Sequence, residues 1–187
     1  FTLPWLIAVP LYIALVSWLI GLRPDWQQML VQIGRDQIDV LLALAMSISA
    51  AAMLGWMALP DRGGKSCGAL CMLPCGMAGA FLVSDGVRLL ANPEIMGVSW
   101  EPMCFRDAAL LTLVPTAAMV LSVRRGAPTS FGWTTMLMVL AVTGFGWVGL
   151  RLTCAEDAFS RAYVMHLLPF ILLGLVVSLL ARRLFRW

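Results

Sequence analysis

Long apolar runs, each about the length of one bilayer crossing, are the feature that most constrains this chain. A helix needs about 20 mostly apolar residues to cross the hydrocarbon core of a membrane, and residues 3–22 meet this requirement without one charged side chain. Only 12% of the 187 residues are charged and 61% are hydrophobic, whereas about 25% of the residues of a soluble domain are charged. The sequence therefore predicts an all-α, polytopic membrane protein without a separate soluble domain.

Six such runs are predicted as transmembrane helices of a single domain that covers residues 1–187. Their expected bounds are 3–22, 40–59, 66–84, 108–123, 131–150 and 162–181. Pro10 and Pro74 lie inside two of the runs, and we expect both helices to kink because proline lacks the amide hydrogen that a helix interior requires.

The second run carries a stripe of small residues. Ala43, Ser47, Ala51 and Gly55 recur every four positions, which places them on one face of a helix. Such a face allows the backbone of a neighbouring helix to approach closely in lipid. We expect this stripe to serve packing and assign no chemistry to it.

The distribution of basic residues predicts an N-in/C-in orientation. An even number of spans puts both ends of the chain on one side, where the short turns and the C-terminus contain Asp61 as their only acid. The basic residues of that side are Arg62, Lys65, Arg124, Arg125, Arg182, Arg183 and Arg186. Lys and Arg concentrate in short cytoplasmic loops, so this side is expected in the cytoplasm and the linkers that contain Cys104 and Cys154 in the periplasm.

Two functional expectations follow from the start of the chain and from its charges. Phe1 is not an initiator methionine and lies next to an apolar run, so we expect a native cytoplasmic N-terminal segment to be missing. The chain has no basic stripe with interleaved aromatic residues, so direct binding of nucleic acid is not expected.

Cys104 and Cys154, which we call the cysteine pair, are the strongest candidates for chemistry. Cys104 comes shortly before the fourth predicted helix and Cys154 just after the fifth. The short turn at 124–130 makes these helices antiparallel neighbours, so their periplasmic ends should be close, and a disulfide requires Cα atoms within about 7 Å. The pair is predicted to be a structural disulfide, a redox switch or a soft-metal site.

A second set of cysteines lies in the third run. Cys67, Cys71 and Cys75 are spaced by four and so share one helix face. They are weak candidates for a copper(I) or zinc ladder, because buried cysteine is also an ordinary small apolar residue, and packing is the preferred interpretation.

The remaining polar signals do not favour catalysis. His166 lies in the sixth run without an acidic residue in any span to complete a proton relay, so a hydrogen bond between helices is its preferred role. The sequence contains no nucleotide-binding loop, no Ser/His/Asp constellation and no metalloprotease motif. We therefore expect neither an enzyme nor a cofactor.

Short motifs in the last third of the chain resemble the negative regulator of sigma F family. They are Arg-Arg-Gly-Ala-Pro-Thr at 124–129, Cys-x-Glu-Asp at 154–157 and Arg-Arg-Leu-Phe-Arg-Trp at 182–187. The Gly97-x-x-Trp100 element ahead of Cys104, and Pro115 in the helix that follows, are also similar to the family pattern. Before Gly97 only the hydropathy fits.

The resemblance implies a bacterial inner-membrane anti-sigma factor with six spans. Such a protein sequesters an extracytoplasmic-function sigma factor and releases it under oxidative or metal stress. The two characteristic periplasmic cysteines of the family correspond to Cys104 and Cys154, and sigma binding is expected in a cytoplasmic segment before the first span. Thr153 stands where the family often has a histidine, which argues against a Cys/His metal site.

Two other functional classes were compared with this one. A membrane thiol oxidoreductase of the disulfide-bond-forming kind usually has a Cys-x-x-Cys motif, which is absent here. A small metal transporter using the cysteines of the third run would need an ion path, and the spans contain no acidic residue to line one. The preferred interpretation is therefore a regulator whose partners are a sigma factor and the lipid bilayer.

Overall fold

The fold is a bundle of long α-helices. The computed structural model describes residues 2–27, 35–57, 68–91, 102–126, 131–154, 169–170, 172–177 and 179–180. The five long helices are α1 (Thr2–Ile20), α2 (Arg35–Met57), α3 (Gly68–Ala91), α4 (Pro102–Gly126) and α5 (Phe131–Thr153). Residues 169–170, 172–177 and 179–180 are also helical, and no strand occurs in the part of the chain that the structure describes. The predicted all-α class is confirmed.

Three of the helices are long and apolar enough to cross a membrane, judged by length and composition. Their apolar portions are Gln37–Met57 in α2, Phe105–Arg124 in α4 and Gly132–Thr153 in α5. They correspond to the second, fourth and fifth predicted runs.

The predicted number of six spans is wrong for the residues that the structure describes, because only three of their helices are long and apolar enough to cross a membrane. The apolar portions Pro4–Ile20 of α1 and Met72–Ser84 of α3 are both shorter than 18 residues. Helix α1 ends at Ile20, and the chain turns at Gly21. In α3 the apolar portion ends at Ser84, just before Asp85. Half of the sixth run, 162–181, lies outside the described residues, and the N-in/C-in orientation stays a prediction.

Several helices extend beyond the apolar runs that predicted them. α4 begins at Pro102 instead of residue 108, α3 continues to Ala91, and α2 begins at Arg35. Proline suits the first position of a helix because its missing N–H would have no partner there. Cys104 therefore lies in a helix and not in the linker that was predicted to contain it, and Asp85, which follows the third predicted run, is helical as well.

Helix α5 lies at the centre of the bundle. It contacts α1, α2, α3 and α4, and 61% of its apolar portion is buried, compared with 33% for α4. Leu137, Met138, Ala141 and Leu150 are at most 1% exposed. A helix that is apolar on all sides belongs in the interior of a protein.

The small-residue stripe of α2 packs against α5. Ala43, Ser47 and Ala51 are at most 1% exposed. A Cβ atom built on Gly144 of α5 would lie 2.5 Å from the carbonyl oxygen of Ala43 and would collide with the hydroxyl of Ser47. The predicted close approach of a helix to this stripe is confirmed at Ala43 and Ser47.

Two more glycines of α5 allow α4 and α1 to approach on other faces. A Cβ on Gly146 would lie 2.6 Å from Cγ2 of Thr112 in α4. A Cβ on Gly149 would lie 3.0 Å from both Cγ2 of Ile13 in α1 and Cδ1 of Leu111 in α4. Because Gly146 and Gly149 have no side chains, α1 and α4 can pack closely against α5.

Helix α1 is joined to α4 by two hydrogen bonds from side chains to backbone. The indole N–H of Trp5 donates to the carbonyl of Pro115 at 3.3 Å, and the hydroxyl of Tyr12 donates to the carbonyl of Leu110 at 2.8 Å. Trp5 is buried and meets Phe145 of α5 edge-on, with ring centroids 5.8 Å apart. Because the numbers rise along α1 as they fall along α4, the two helices are antiparallel.

The Gly144 contact gives the first testable prediction. Gly144→Ala should push α2 away from α5, since the new methyl group meets a backbone carbonyl that cannot rotate aside. We expect the free energy of unfolding to fall by about 1–3 kcal/mol, measured by SDS-induced unfolding in mixed micelles. Gly132→Ala is the control, because a Cβ at Gly132 meets no atom within 4 Å; equal losses in both variants would show that α2 and α5 are not in close contact.

Candidate functional site

Both cysteines of the predicted pair lie at one end of the bundle. Cys104 is in the first turn of α4, and Cys154 directly follows the last residue of α5. The backbone N–H of Cys154 donates to the carbonyl of Leu150 at 2.8 Å, so the helical hydrogen bonding continues to this residue. The side chain of Cys154 is half-buried, whereas only the backbone of Cys104 lies within the described residues.

The packing register of α4 and α5 brings the two cysteines level. Thr112 lies against Gly146, and Leu111 lies against Gly149, so the two helices are antiparallel. Continued toward the end of the bundle, this register puts Cys104 opposite Cys154. That the two thiols bond, or react together, stays a prediction.

A glycine cap at the end of α1 directs the chain toward this site. Gly21 has a φ of 111°, and its N–H donates to the carbonyl of Ser17 at 3.1 Å. This is the usual left-handed termination of a helix, in which glycine avoids the steric cost that a Cβ would incur. The backbone N–H of Arg23 then donates to the carbonyl of Leu152 at 3.0 Å. The end of α1 is thereby attached to the last turn of α5.

The guanidinium of Arg23 forms a two-bond ion pair with Asp25. Nε lies 2.6 Å from Oδ1 and Nη2 lies 2.7 Å from Oδ2. The side chain of Arg23 is only 4% exposed and that of Asp25 is 45% exposed. Parallel N–H to carboxylate bonds of this kind are strong and restrict geometry, so the pair holds the turn after α1 in one conformation.

The charge of Asp25 connects α1 and α5. The hydrogen bonds from Arg23 hold the pKa of the Asp25 carboxyl below its ordinary value, against the opposing effect of burial, and the positive charge of Arg151 also lowers it. Arg151 is the basic residue in the last turn of α5. The carboxylate therefore lies within the field of two cations, one from each side of this junction.

A second ion pair at the same end has a different character. Nη2 of Arg106 lies 3.0 Å from Oδ1 of Asp107, its neighbour in α4, and the side chain of Arg106 is 62% exposed. Both members belong to one helix, so the pair joins no two elements. An exposed pair of this kind contributes little to stability.

The other sequence candidates are placed only in part. Cys67 lies outside the described residues, and for Cys71 only the backbone in α3 is described. Cys75 is half-buried, and its Sγ lies 4.0 Å from Sδ of Met136 in α5. Within the described residues no three His, Cys, Asp or Glu side chains cluster to hold a metal ion, and the ladder stays a prediction. His166 lies outside the described residues.

Sequence reasoning did not find the junction of Arg23 and Asp25. Both residues lie between the first two predicted spans, 3–22 and 40–59, where no contact was predicted. The available signal was the sequence Gly21-Leu-Arg-Pro-Asp25, in which a glycine ends an apolar run and opposite charges follow two residues apart. The contact with Leu152 had no local signal, because the two residues are distant in the chain.

The comparison with protein families shows to which family the chain belongs. The model described as "Negative regulator of sigma F" matches residues 1–187. The chain belongs to the negative regulator of sigma F family. No curated protein and no solved structure matches it.

Membership in this family confirms the resemblance and extends it. The match includes the residues before Gly97, where the sequence motifs had offered only hydropathy. The family description indicates that the chain negatively regulates a sigma factor, which makes it an anti-sigma factor.

The dependence of stability on pH in the acid range tests the ion pair of Arg23 and Asp25. Because the pKa of Asp25 is lower in the folded state than its ordinary value of about 3.9, its stabilising contribution is present above that value and is lost as the pH falls through the folded-state pKa. Asp25→Asn should be less stable than the parent protein at pH 7, and the difference should shrink below about pH 4. SDS-induced unfolding at several pH values measures this, and a difference that stays constant with pH would contradict it.

Proposed function

We propose that this protein is a multi-pass anti-sigma factor of the bacterial inner membrane. It sequesters an extracytoplasmic-function sigma factor on the cytoplasmic side and releases it when periplasmic oxidative or metal stress changes the cysteine pair. The single observation that carries the sensing part is the position of Cys104 and Cys154 at one end of the bundle, level with each other across the α4–α5 contact. The family membership supports the sigma-factor part.

Exposed apolar side chains support the membrane part of the proposal. Trp18 and Leu19 of α1 are each 74% exposed, and Leu90 of α3 is 84% exposed. Many other large apolar side chains of the described helices are exposed as well, and such surface is unfavourable in water and indicates contact with lipid or another protein. The three helices with apolar portions long enough to cross a membrane agree with this.

The orientation follows from the charges. We propose that the segments 58–67 and 127–130 face the cytoplasm, because the short stretches in and around them are rich in Arg and Lys. The cysteine end, which includes Arg23 and Cys154, then faces the periplasm. Thiols in that compartment meet oxidants and metal ions before those agents reach the cytoplasm.

The proposed chemical step is the modification of two thiols. An oxidant takes two electrons and two protons from Cys104 and Cys154, an S–S bond forms, and the oxidant is reduced. A thiophilic metal ion instead displaces the two thiol protons and binds both thiolates without a change of redox state. Either product draws the first turn of α4 toward the end of α5, and this bias on a two-state bundle would alter the affinity for the sigma factor.

We propose that the protein acts by binding and not by catalysis. A sigma factor is held or released according to the conformational state of the bundle, so no bond in the partner needs to be made or broken. The size of the required bias is known in principle: a shift from about 1:99 to about 99:1 between two states takes about 5.5 kcal/mol of differential affinity.

Cysteine variants test the proposed function. In a host that carries the sigma factor and a reporter of its promoter, Cys104→Ser with Cys154→Ser should repress normally at rest. Its induction by oxidant should fall by at least about tenfold, or about 1.4 kcal/mol of bias. Cys75→Ser is the matched control, since Cys75 lies in α3 against Met136 and outside the proposed pair, and it should respond as the parent does.

Differential thiol alkylation with mass spectrometry, before and after oxidant, completes the experiment. Two reduced thiols that become linked or modified support the sensor. A disulfide that is present throughout and unchanged, or a normal response of the double serine variant, would show that the signal enters elsewhere. Co-purification of the sigma factor with the resting protein tests the partner separately.

A further inference from the structure

Helix α1 is hydrogen-bonded to both helices that carry the cysteine pair. At one end, the N–H of Arg23 donates to the carbonyl of Leu152 next to the end of α5. Along its length, Tyr12 and Trp5 donate to carbonyls of α4. Although α1 contains no cysteine, it is in polar contact with the end of the Cys154 helix and with the middle of the Cys104 helix.

We propose that Arg23, Asp25 and the carbonyl of Leu152 form a coupling clasp that transmits a change at Cys154 into α1. The clasp makes α1 the element that carries the signal away from the cysteines to the contact of Trp5 with Pro115, in the middle of α4. This inference rests on the proposed function for its input at the cysteines. It adds the route of transmission and the two residues responsible for it.

Cys154 is close in the chain to the carbonyl that takes part in the clasp. The carbonyl of Leu152 lies two residues before Cys154, and the N–H of Cys154 is bonded to Leu150 in the same helical turn. A new bond at the thiol that draws the end of α5 aside must therefore move the Leu152 carbonyl. Arg23 then follows it, or the hydrogen bond breaks.

The clasp resists being pulled apart. The Arg23 side chain is 4% exposed, and its guanidinium is held by two bonds to Asp25 at 2.6 and 2.7 Å. A buried charge that loses its partner is strongly unfavourable, so Arg23 and Asp25 move together as one unit. Arg151 attracts the same carboxylate from the last turn of α5, which adds an electrostatic link between the two elements.

The clasp acts on a single helix, α1. Gly21 caps α1 two residues before Arg23, with its N–H still bonded to Ser17, so a displacement of Arg23 acts on the end of the helix. A helix of 19 residues is about 28 Å long at 1.5 Å per residue. Movement at the Arg23 end therefore reaches the Trp5 contact, which lies near the other end of α1.

Hydrogen exchange tests the coupling directly. The protein is reconstituted in phospholipid nanodiscs as a variant in which Cys154 is the single cysteine, and Cys154 is alkylated with N-ethylmaleimide. We expect the amide exchange rates of residues 2–20 to change by about threefold or more. With Asp25→Asn this change should be lost, while the change within residues 145–153, close to the thiol, should persist.

Two variants control for a general loss of structure. Asp25→Glu keeps the carboxylate and should retain the change in residues 2–20. Arg106→Gln removes the ion pair with Asp107, which joins no two elements, and should also retain it. If Asp25→Asn does not accumulate in the membrane, Arg23→Lys takes its place, because lysine keeps the charge but cannot make two parallel bonds.

The outcomes separate this inference from the function on which it rests. Loss of the α1 response in Asp25→Asn, with retention in both controls, supports the clasp; the same response in Asp25→Asn as in the parent overturns it. In the reporter assay, Asp25→Asn should repress at rest but lose about tenfold of its induction by oxidant. If the double serine variant is still induced while the exchange result holds, the cysteine sensing is wrong and the clasp stands.

Discussion

The close contact between the backbones of α2 and α5 is the interaction on which the rest of the bundle depends. Between helices that face lipid, burial of apolar surface gives no net driving force, and close van der Waals packing must replace it. Gly144 makes this possible, because any side chain there would meet Ala43 and Ser47. Once α5 is held against α2, its other faces are available to α1, α3 and α4.

The positions of the helices could be predicted from the apolar runs, but their ends could not. Hydropathy reports which residues avoid water, whereas a helix ends where its amide and carbonyl groups find other partners. Pro102 can begin α4 six residues before its apolar run because it has no N–H to satisfy. Gly21 ends α1 inside its run because it adopts a positive φ. Three predicted runs therefore coincide with helices that are long and apolar enough to cross a membrane, and the count of six was not reproduced in the described residues.

The candidate site could be predicted where topology alone determines it. Cys104 lies near the start of α4 and Cys154 directly follows α5, and only four residues separate the two helices. Any antiparallel pairing therefore brings the cysteines to one end, and the register at Gly146 and Gly149 agrees. The junction at Arg23 could not be predicted, because its partner Leu152 contributes a backbone carbonyl. Every residue carries a carbonyl, so sequence holds no sign of which one is used.

The packing also explains why α1 is better suited to move than α5. Helix α5 is surrounded by neighbours, and displacing it would open several close contacts at once. Helix α1 buries one face, where Trp5, Val9, Ile13 and Ser17 recur every four residues, and leaves Trp18 and Leu19 largely exposed. The Ser17 hydroxyl is buried without a hydrogen-bond partner among the described residues, which weakens that face near the clasp. Helix α5 is thus tightly packed at the centre, whereas α1 lies at the periphery and forms a few polar bonds to its neighbours. In this arrangement a small displacement can be transmitted along α1 alone.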